Sequence, residues 1–282
     1  MTYVTKVYLF GAPEIVVDAS AVPEPLRVFT YLTLVNLFTT AVHPRITLVN
    51  APSWITPYTF NPSSISANST STVQVYFDAN PSQTPDFQGN GEVETDLVWL
   101  VQFFQDSQRT QLLSQAFVSV RTIFINPLHS SWTRVLFMPF EPGTLPYDDS
   151  LVYYNITRNS TEIDGDCRRL DTTNTGISGA RYTSPYYSYR LCLSVNTFGH
   201  IRQHLNIKQN YSKCFIVFDL YSSSSYFTIK RDNTPIKYCV SPFVTGTWVS
   251  FAFRVYPGWN YIGFAVGGSI EAYMDDVMVI CK

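Results

Sequence analysis

Apolar and polar positions alternate with a period of two through most of this chain, and almost nowhere with the 3.6-residue period of a helix. In "RVFTYLTLVNLF", Val28, Thr30, Leu32 and Leu34 alternate with Phe29, Tyr31, Thr33 and Val35. "STVQVYFDA" alternates around Val73, Val75 and Phe77. Successive side chains of a strand leave opposite faces, so this rhythm predicts strands with one face buried. "TDLVWLVQFFQ" and "QAFVSVRTIFI" flank the polar "DSQRTQLLS", as a hairpin would. Turn residues punctuate the chain at "HPR", "APSW", "NPSS", "NPSQTP" and "GNG", and helical periodicity with caps is absent over any stretch of about ten residues. Short strands at this spacing predict an all-β chain of two tandem β-sandwiches.

"INPLHSSW", from Ile125 to Trp132, reads as the junction, dividing the chain into domains 1–125 and 126–282. Residues 141–185 are polar ("EPGTLPYDD", "NITRNSTEIDGD", "TTNTGISG") and read as long loops around one or two strands. The rhythm then returns in seven strand candidates: "YYSYRLCLSV", "HIRQHLNI", "SKCFIVFDLYS", "YFTIKR", "TWVSFAFRV", "YIGFAVG" and "SIEAYMDDVMVI". The leading "TYVTKVYLFGAPEIVVD" is expected to add a strand to a neighbouring domain or to another subunit. It has no signal-peptide core. The best membrane-span candidate, "LRVFTYLTLVNLFTTAV", carries Arg27 and Asn36 and alternates like a strand, so no membrane span is expected.

Composition adds to this picture in three ways. Apolar residues at 45% suffice for sizeable cores, and aromatics at 16% suit pleated surfaces. Charged residues make up only 14%, against about 25% in typical soluble domains. With a formal charge of −2 and no basic run, a nucleic-acid groove is excluded. Five cysteines, Cys167, Cys192, Cys214, Cys239 and Cys281, lie in the C-terminal half without a Cys-x-x-Cys. They read as two disulfides plus one thiol, or as buried reduced cysteines. Asn68, Asn155, Asn159 and Asn210 head Asn-x-Ser/Thr sequons and are candidate glycosylation sites.

Catalytic signatures are missing: there is no phosphate-binding glycine loop, His-Glu-x-x-His or Gly-x-Ser-x-Gly, and no acidic cluster suggests a glycosidase cleft. "HIRQH" sets His200 and His204 on one strand face, either a metal-ligand pair or plain polar surface. A non-catalytic protein is expected.

Two resemblances extend this reading. The order Asn36, Pro52, Trp54, Pro57 and Val73–Val75, over about residues 26–80, resembles the immunoglobulin-like accessory domains of secreted and surface proteins. It implies a spacer or assembly module, with Trp54 plugging the sandwich end and Asn36 satisfying backbone groups at a strand exit. Phe140–Glu141–Gly143, Ser188–Leu193, Gln203–Ile207, Phe215–Leu220, Thr247–Phe253 and Tyr273–Val277 together resemble the galactose-binding type of jelly-roll carbohydrate-binding module. That resemblance spans about residues 137–282, and it departs from the pattern in the roughly forty residues that follow Glu141.

The second resemblance implies a structural calcium held by Glu141 with Asp275 or Asp276. Adjacent strand residues face opposite ways, so only one of the two aspartates can serve; otherwise both sit at a sheet rim without metal. It also implies sugar stacking on aromatic rings, for which Tyr221, Tyr226, Tyr256, Trp259 and Tyr261 are the candidates. The expected function is that of an exposed, non-catalytic structural protein of a virion surface (turret, spike, tail or capsid-associated) or of the extracellular space. It would attach to host glycans and assemble with copies of itself or with other surface proteins. The alternative is a secreted cellular carbohydrate-active enzyme or its accessory carbohydrate-binding module.

Overall fold

The computed structural model describes residues 7–9, 14–20, 24–138, 168–171, 188–192, 199–204, 210–222, 226–231, 234–240, 248–256, 261–266 and 271–282. The chain is all-β and divides into two compact units, Met1–Asn126 and Pro127–Lys282. Glu141, Asn155, Asn159, Cys167 and Trp259 lie outside the described residues.

The first unit holds strands β1 (Val7–Leu9), β2 (Glu14–Asp18), β3 (Leu26–Asn36), β4 (His43–Leu48), β5 (Ile55–Thr56), β6 (Thr59–Phe60), β7 (Ser69–Ala79), β8 (Glu92–Phe104) and β9 (Leu112–Ile125). One sheet runs β1-β3-β7-β5 and the other β2-β9-β8-β4-β6. The two share one core: Leu32, Leu34, Val75 and Phe77 from the first meet Ile46, Leu97, Trp99, Val101 and Phe124 from the second, all with no exposed surface. These are every second residue of their strands, so the period of two seen in the sequence is the division between core and outer face. Burying such side chains contributes about 1.5–3 kcal/mol each. The leading segment supplies a strand to each sheet, β1 antiparallel to β3 and β2 parallel to β9.

Trp54 stands edge-on to Phe124 with ring centroids 5.2 Å apart, half-buried against the core. Asn36 ends β3 fully buried, and its amide closes two loops. Its Nδ2 donates towards the carbonyls of Thr40 (3.0 Å), Ile65 (3.0 Å) and Ser66 (2.8 Å), while its Oδ1 accepts from the Phe38 amide (2.9 Å).

One feature differs from the sequence expectation. "NPSQTP" and "GNG" read as turn punctuation, yet Pro85–Asn90, running from one into the other, form helix α1. Thr84 caps it by accepting from the Phe87 amide, Pro85 occupies the first turn, and Gly91 stops it at φ 65°. Six residues are too few to display a helical period.

The second unit holds β10 (Thr133–Met138), β11 (Arg168–Asp171), β12 (Ser188–Cys192), β13 (Gly199–His204), β14 (Cys214–Ser222), β15 (Tyr226–Arg231), β16 (Thr234–Val240), β17 (Trp248–Val255), β18 (Tyr261–Val266) and β19 (Glu271–Cys281). All seven C-terminal candidates carry a strand, β11 falls in the stretch read as loops around one or two strands, and β10 and β16 are additional. One sheet runs β11-β12-β19-β14-β17, and a second runs β13-β18-β15-β16. β19 pairs with β14 along one edge, and with β12 and then β10 along the other. Cys214 to Phe218 are all buried, so this half of β14 is covered on both faces.

Cys214 and Cys281 face each other across β14 and β19 and form a disulfide. Their neighbours Lys213 and Lys282 exchange both backbone hydrogen bonds. The cysteines therefore occupy the narrow, non-hydrogen-bonded site of the ladder, and their Cα atoms are only 4.2 Å apart.

Candidate functional site

The far half of β14 changes character. After the buried run ending at Phe218, the strand reads Asp219, Leu220, Tyr221, Ser222. Register places Trp248 of β17 beside Tyr221, Tyr221 beside Tyr273 of β19, Tyr273 beside Arg190 of β12, and Arg190 beside Arg169 of β11. Three aromatics and two arginines thus form one row across five strands. Two residues along each strand, and hence on the same face, lie Ser250, Asp219, Asp275, Ser188 and Asp171. The row between them, on the other face, is Val249, Leu220, Met274, Tyr189 and Leu170. By alternation the first two rows share one face of the sheet, and the row between them belongs to the other.

The charges follow a pattern. Arg169 opposes Arg190, and Asp219 opposes Asp275. In the register Arg190 and Asp275 are diagonal positions, Arg190 standing opposite Tyr273. The paired acids of the last strand separate at a bulge: Val217 pairs with Met278 but Asp219 with Asp275, so Asp276 and Val277 together oppose Phe218. Asp275 belongs to the aromatic face, and Asp276 to the irregularity that ends it.

Trp259 lies outside the described residues, and the other four aromatic candidates fall on or beside different elements. Tyr221 stands at the centre of the aromatic row. Tyr226 and Tyr261 begin β15 and β18 of the other sheet. Tyr256 follows β17 and is half exposed. Cys192 lies on β12 and Cys239 on β16; His200 and His204 lie on β13, opposite Ala265 and Tyr261. Among the described residues no group of three or more His, Cys, Asp or Glu is placed to hold a metal, and no helix is long and apolar enough to cross a membrane. Asn68 is exposed at φ 50° in the turn before β7, and Asn210 is exposed in the turn before β14.

Trp248, Tyr273, Arg190 and Arg169 are not among the sequence candidates, which are the rings around "YSSSSY" and "YPGWNY". In sequence, Tyr273 stands between Ala272 and Met274, Arg190 between Tyr189 and Leu191, and Trp248 between Thr247 and Val249.

A second aromatic face lies on the first unit, on the outer side of β3 and β7. Arg27 pairs there with Asp78, Phe29 with Tyr76, and Tyr31 with Gln74. Arg27 grips Asp78 in a fork, Nε to Oδ1 at 2.8 Å and Nη2 to Oδ2 at 2.9 Å. The Tyr58 hydroxyl donates to the same Oδ2 at 2.7 Å. The guanidinium lies over the Tyr76 ring, 4.7 Å from its centroid, and Tyr58, Phe60 and Phe29 surround that ring at 4.9, 5.0 and 5.7 Å. The Arg27 hydrogen bonds hold the Asp78 carboxyl below the usual carboxylate range, with a further contribution from Tyr58. In return, that carboxylate raises the Arg27 guanidinium and the Tyr58 phenol.

No protein-family model matches the chain, and no curated protein matches it. Among solved structures it is similar to a family 29 carbohydrate-binding module from Piromyces equi, at 12% identity over 42% of this chain and 83% of that one, with a TM-score of 0.27. It is similar to the K3 cleaved adhesin domain of Lys-gingipain from Porphyromonas gingivalis, at 14% identity over 53% and 98%, with a TM-score of 0.32. It is also similar to the tandem CBM22-1–CBM22-2 domains of Paenibacillus barcinonensis Xyn10C, at 10% identity over 91% of both chains, with a TM-score of 0.34. Scores this low establish neither a shared fold nor a shared function.

Proposed function

We propose that this is an exposed, non-catalytic carbohydrate-binding protein whose second unit holds glycan on the aromatic face of its β11-β12-β19-β14-β17 sheet. The observation that carries this reading is the ladder row Trp248–Tyr221–Tyr273–Arg190–Arg169. Sugar rings present apolar faces and a rim of hydroxyls, and they are held by aromatic residues with a few fixed polar groups beside them. An aromatic row ending in arginines and flanked by Asp219, Asp275 and Ser250 supplies both kinds of partner. The immunoglobulin-like and jelly-roll assignments of the two units belong to this proposal, with the first unit as the spacer. So does placement on a virion surface as a host-attachment component assembled with copies of itself or with other surface proteins. The second reading, an accessory module of a secreted carbohydrate-active enzyme, uses the same face. The disulfide favours an oxidising, extracellular setting for either.

A glycan array probed with the full chain tests this. Trp248→Ala is expected to weaken the strongest glycan signal at least about tenfold, since stacking on one ring is worth about 1–3 kcal/mol where bases stack on aromatics. Retention of full binding by Trp248→Ala and Tyr221→Ala alike would remove the face from the proposal.

The calcium proposed for Glu141 and the closing strand fits the chemistry of hard oxygen ligands, because Asp219 stands in register with Asp275. Glycosylation is proposed at Asn68, Asn155, Asn159 and Asn210. Native mass spectrometry before and after chelation reads both: a chain of bare sequence mass in each spectrum would discard the metal and the sugars together.

A further inference from the structure

The outer face of β3 and β7 does more than a spacer requires. Single exposed apolar side chains are ordinary on a protein surface. Phe29 is different, because it is 48% exposed at the edge of a contiguous cluster of four rings, Phe29, Tyr76, Tyr58 and Phe60. Tyr31 follows two residues later on the same face, about 6.5 Å further along the strand. Its hydroxyl accepts from Gln74 Nε2 at 2.7 Å, which fixes the ring and leaves the hydroxyl hydrogen to donate outward.

Beside these rings stands a polar group that is rigid and only partly used. Arg27 spends Nε and Nη2 on Asp78, and its Nη1 donates to no acceptor among the described residues. Its side chain is half exposed. The fork to Asp78 and the Tyr76 ring beneath it hold the guanidinium in one plane, so presenting Nη1 costs little ordering on binding. Two outward rings with a preorganised donor alongside match the shape and chemistry of a saccharide: apolar ring faces with hydroxyl acceptors at the rim.

Charge selects among saccharides. Asp78 cancels the one cation among the described residues of this face. Residues 1–126 carry five Lys or Arg against nine Asp or Glu, a net −4. A polyanionic glycan would meet a negative field with no unpaired cation among the described residues of this face to receive it.

We propose that the outer β3–β7 face is a second, separate carbohydrate-binding platform for neutral glycans. In it Phe29 and Tyr31 stack, Arg27 donates through Nη1, and Asp78 orients Arg27 and cancels its charge. The platform is independent of the Trp248 row, so the chain would engage glycan through both units.

Affinity electrophoresis and calorimetry on the full chain test this, using neutral hexose oligosaccharides and uronic-acid oligosaccharides of equal length. The wild type is expected to bind the neutral set, unaffected by salt. Phe29→Ala, a half-exposed position with little bearing on folding, should weaken a part of that binding at least about tenfold that Trp248→Ala leaves intact. Asp78→Asn should raise affinity for the uronic-acid set by about fivefold at low salt, an increase that disappears at high salt. Neutral-glycan binding indifferent to Phe29→Ala overturns the platform. Phe29-dependent binding by the wild type that prefers the acidic set overturns the assignment to neutral ligands, and this holds even if Asp78→Asn does not fold.

Discussion

Replacing Asn36 by leucine is expected to destabilise the first unit by about 3 kcal/mol and to lower its thermal midpoint by roughly 10 °C. The substitution keeps the side-chain volume and improves its hydropathy, so a purely hydrophobic account predicts little change or a gain. The hydrogen bonds decide otherwise. Asn36 has no exposed surface, and its amide serves the carbonyls of Thr40, Ile65 and Ser66 and the amide of Phe38. Leucine would leave these groups without that partner, and each buried backbone group left unsatisfied costs about 1–3 kcal/mol. Because one side chain joins the exit of β3 to the loop before β7, the loss should appear locally. Hydrogen exchange should speed up in β3, β7 and residues 37–42 before it does in β8 and β9. Asn36→Asp separates the causes, since it keeps the acceptor for Phe38 and removes the donors. A leucine variant within about 1 kcal/mol of wild type would show that the backbone groups find other partners.

The backbone rhythm was legible because it follows from one physical constraint, that alternate residues of a half-covered strand meet different solvents. Val28, Leu32, Val75 and Phe77 announced the core before any fold was known, and they are buried. What stayed hidden was pairing. Nothing in "SYRL" states that Arg190 will lie beside Tyr273 eighty residues on, because register is set by partners distant in sequence. The aromatic row therefore could not be read from the sequence, although each of its members could. The same holds for Arg27 and Asp78. Fifty-one residues separate them, and each alone looks like a surface charge on a strand. Tyr58 was hidden for another reason, being carried in the short segment between β5 and β6 that passes from one sheet to the other.

Abundant aromatics make any platform hard to tell from packing, and the candidates Tyr221, Tyr226, Tyr256, Trp259 and Tyr261 come from the stretches around "YSSSSY" and "YPGWNY". A ring on a strand is as capable of meeting ligand as a ring in a loop, provided its neighbours at two-residue spacing are polar. Tyr221 and Tyr273 meet that condition through Asp219 and Asp275, and Phe29 meets it through Arg27. Trp99 fails it, since Leu97 and Val101 flank it at that spacing, and it is core.

Breaking the Cys214–Cys281 disulfide should cost the second unit about 4 kcal/mol, the loop-closure estimate for a separation of 67 residues. The bond encloses six consecutive strands, β14 to β19, and joins the buried end of β14 to the end of the strand that carries Asp275. Both cysteines are fully buried, at the narrow site fixed by the Lys213–Lys282 hydrogen bonds. Reductant alone should therefore leave the bond intact in the folded protein, because the thiolate that must attack it cannot reach sulfur until β19 has opened. Reductant with denaturant should cleave it, and the unfolding free energy of the reduced protein should fall by the amount above, with a lower midpoint. The Cys214→Ala, Cys281→Ala double variant should match the reduced protein rather than the wild type, which separates loss of the crosslink from damage by the reagent. Because β19 also aligns Tyr273 with Tyr221, the same variant should lose the Trp248-dependent glycan signal as temperature rises, well before the Phe29-dependent one. Rapid release of both thiols from the folded protein, or a midpoint unmoved by the double substitution, would mean that the ladder hydrogen bonds and the buried run from Cys214 to Phe218 hold the strands together without the crosslink.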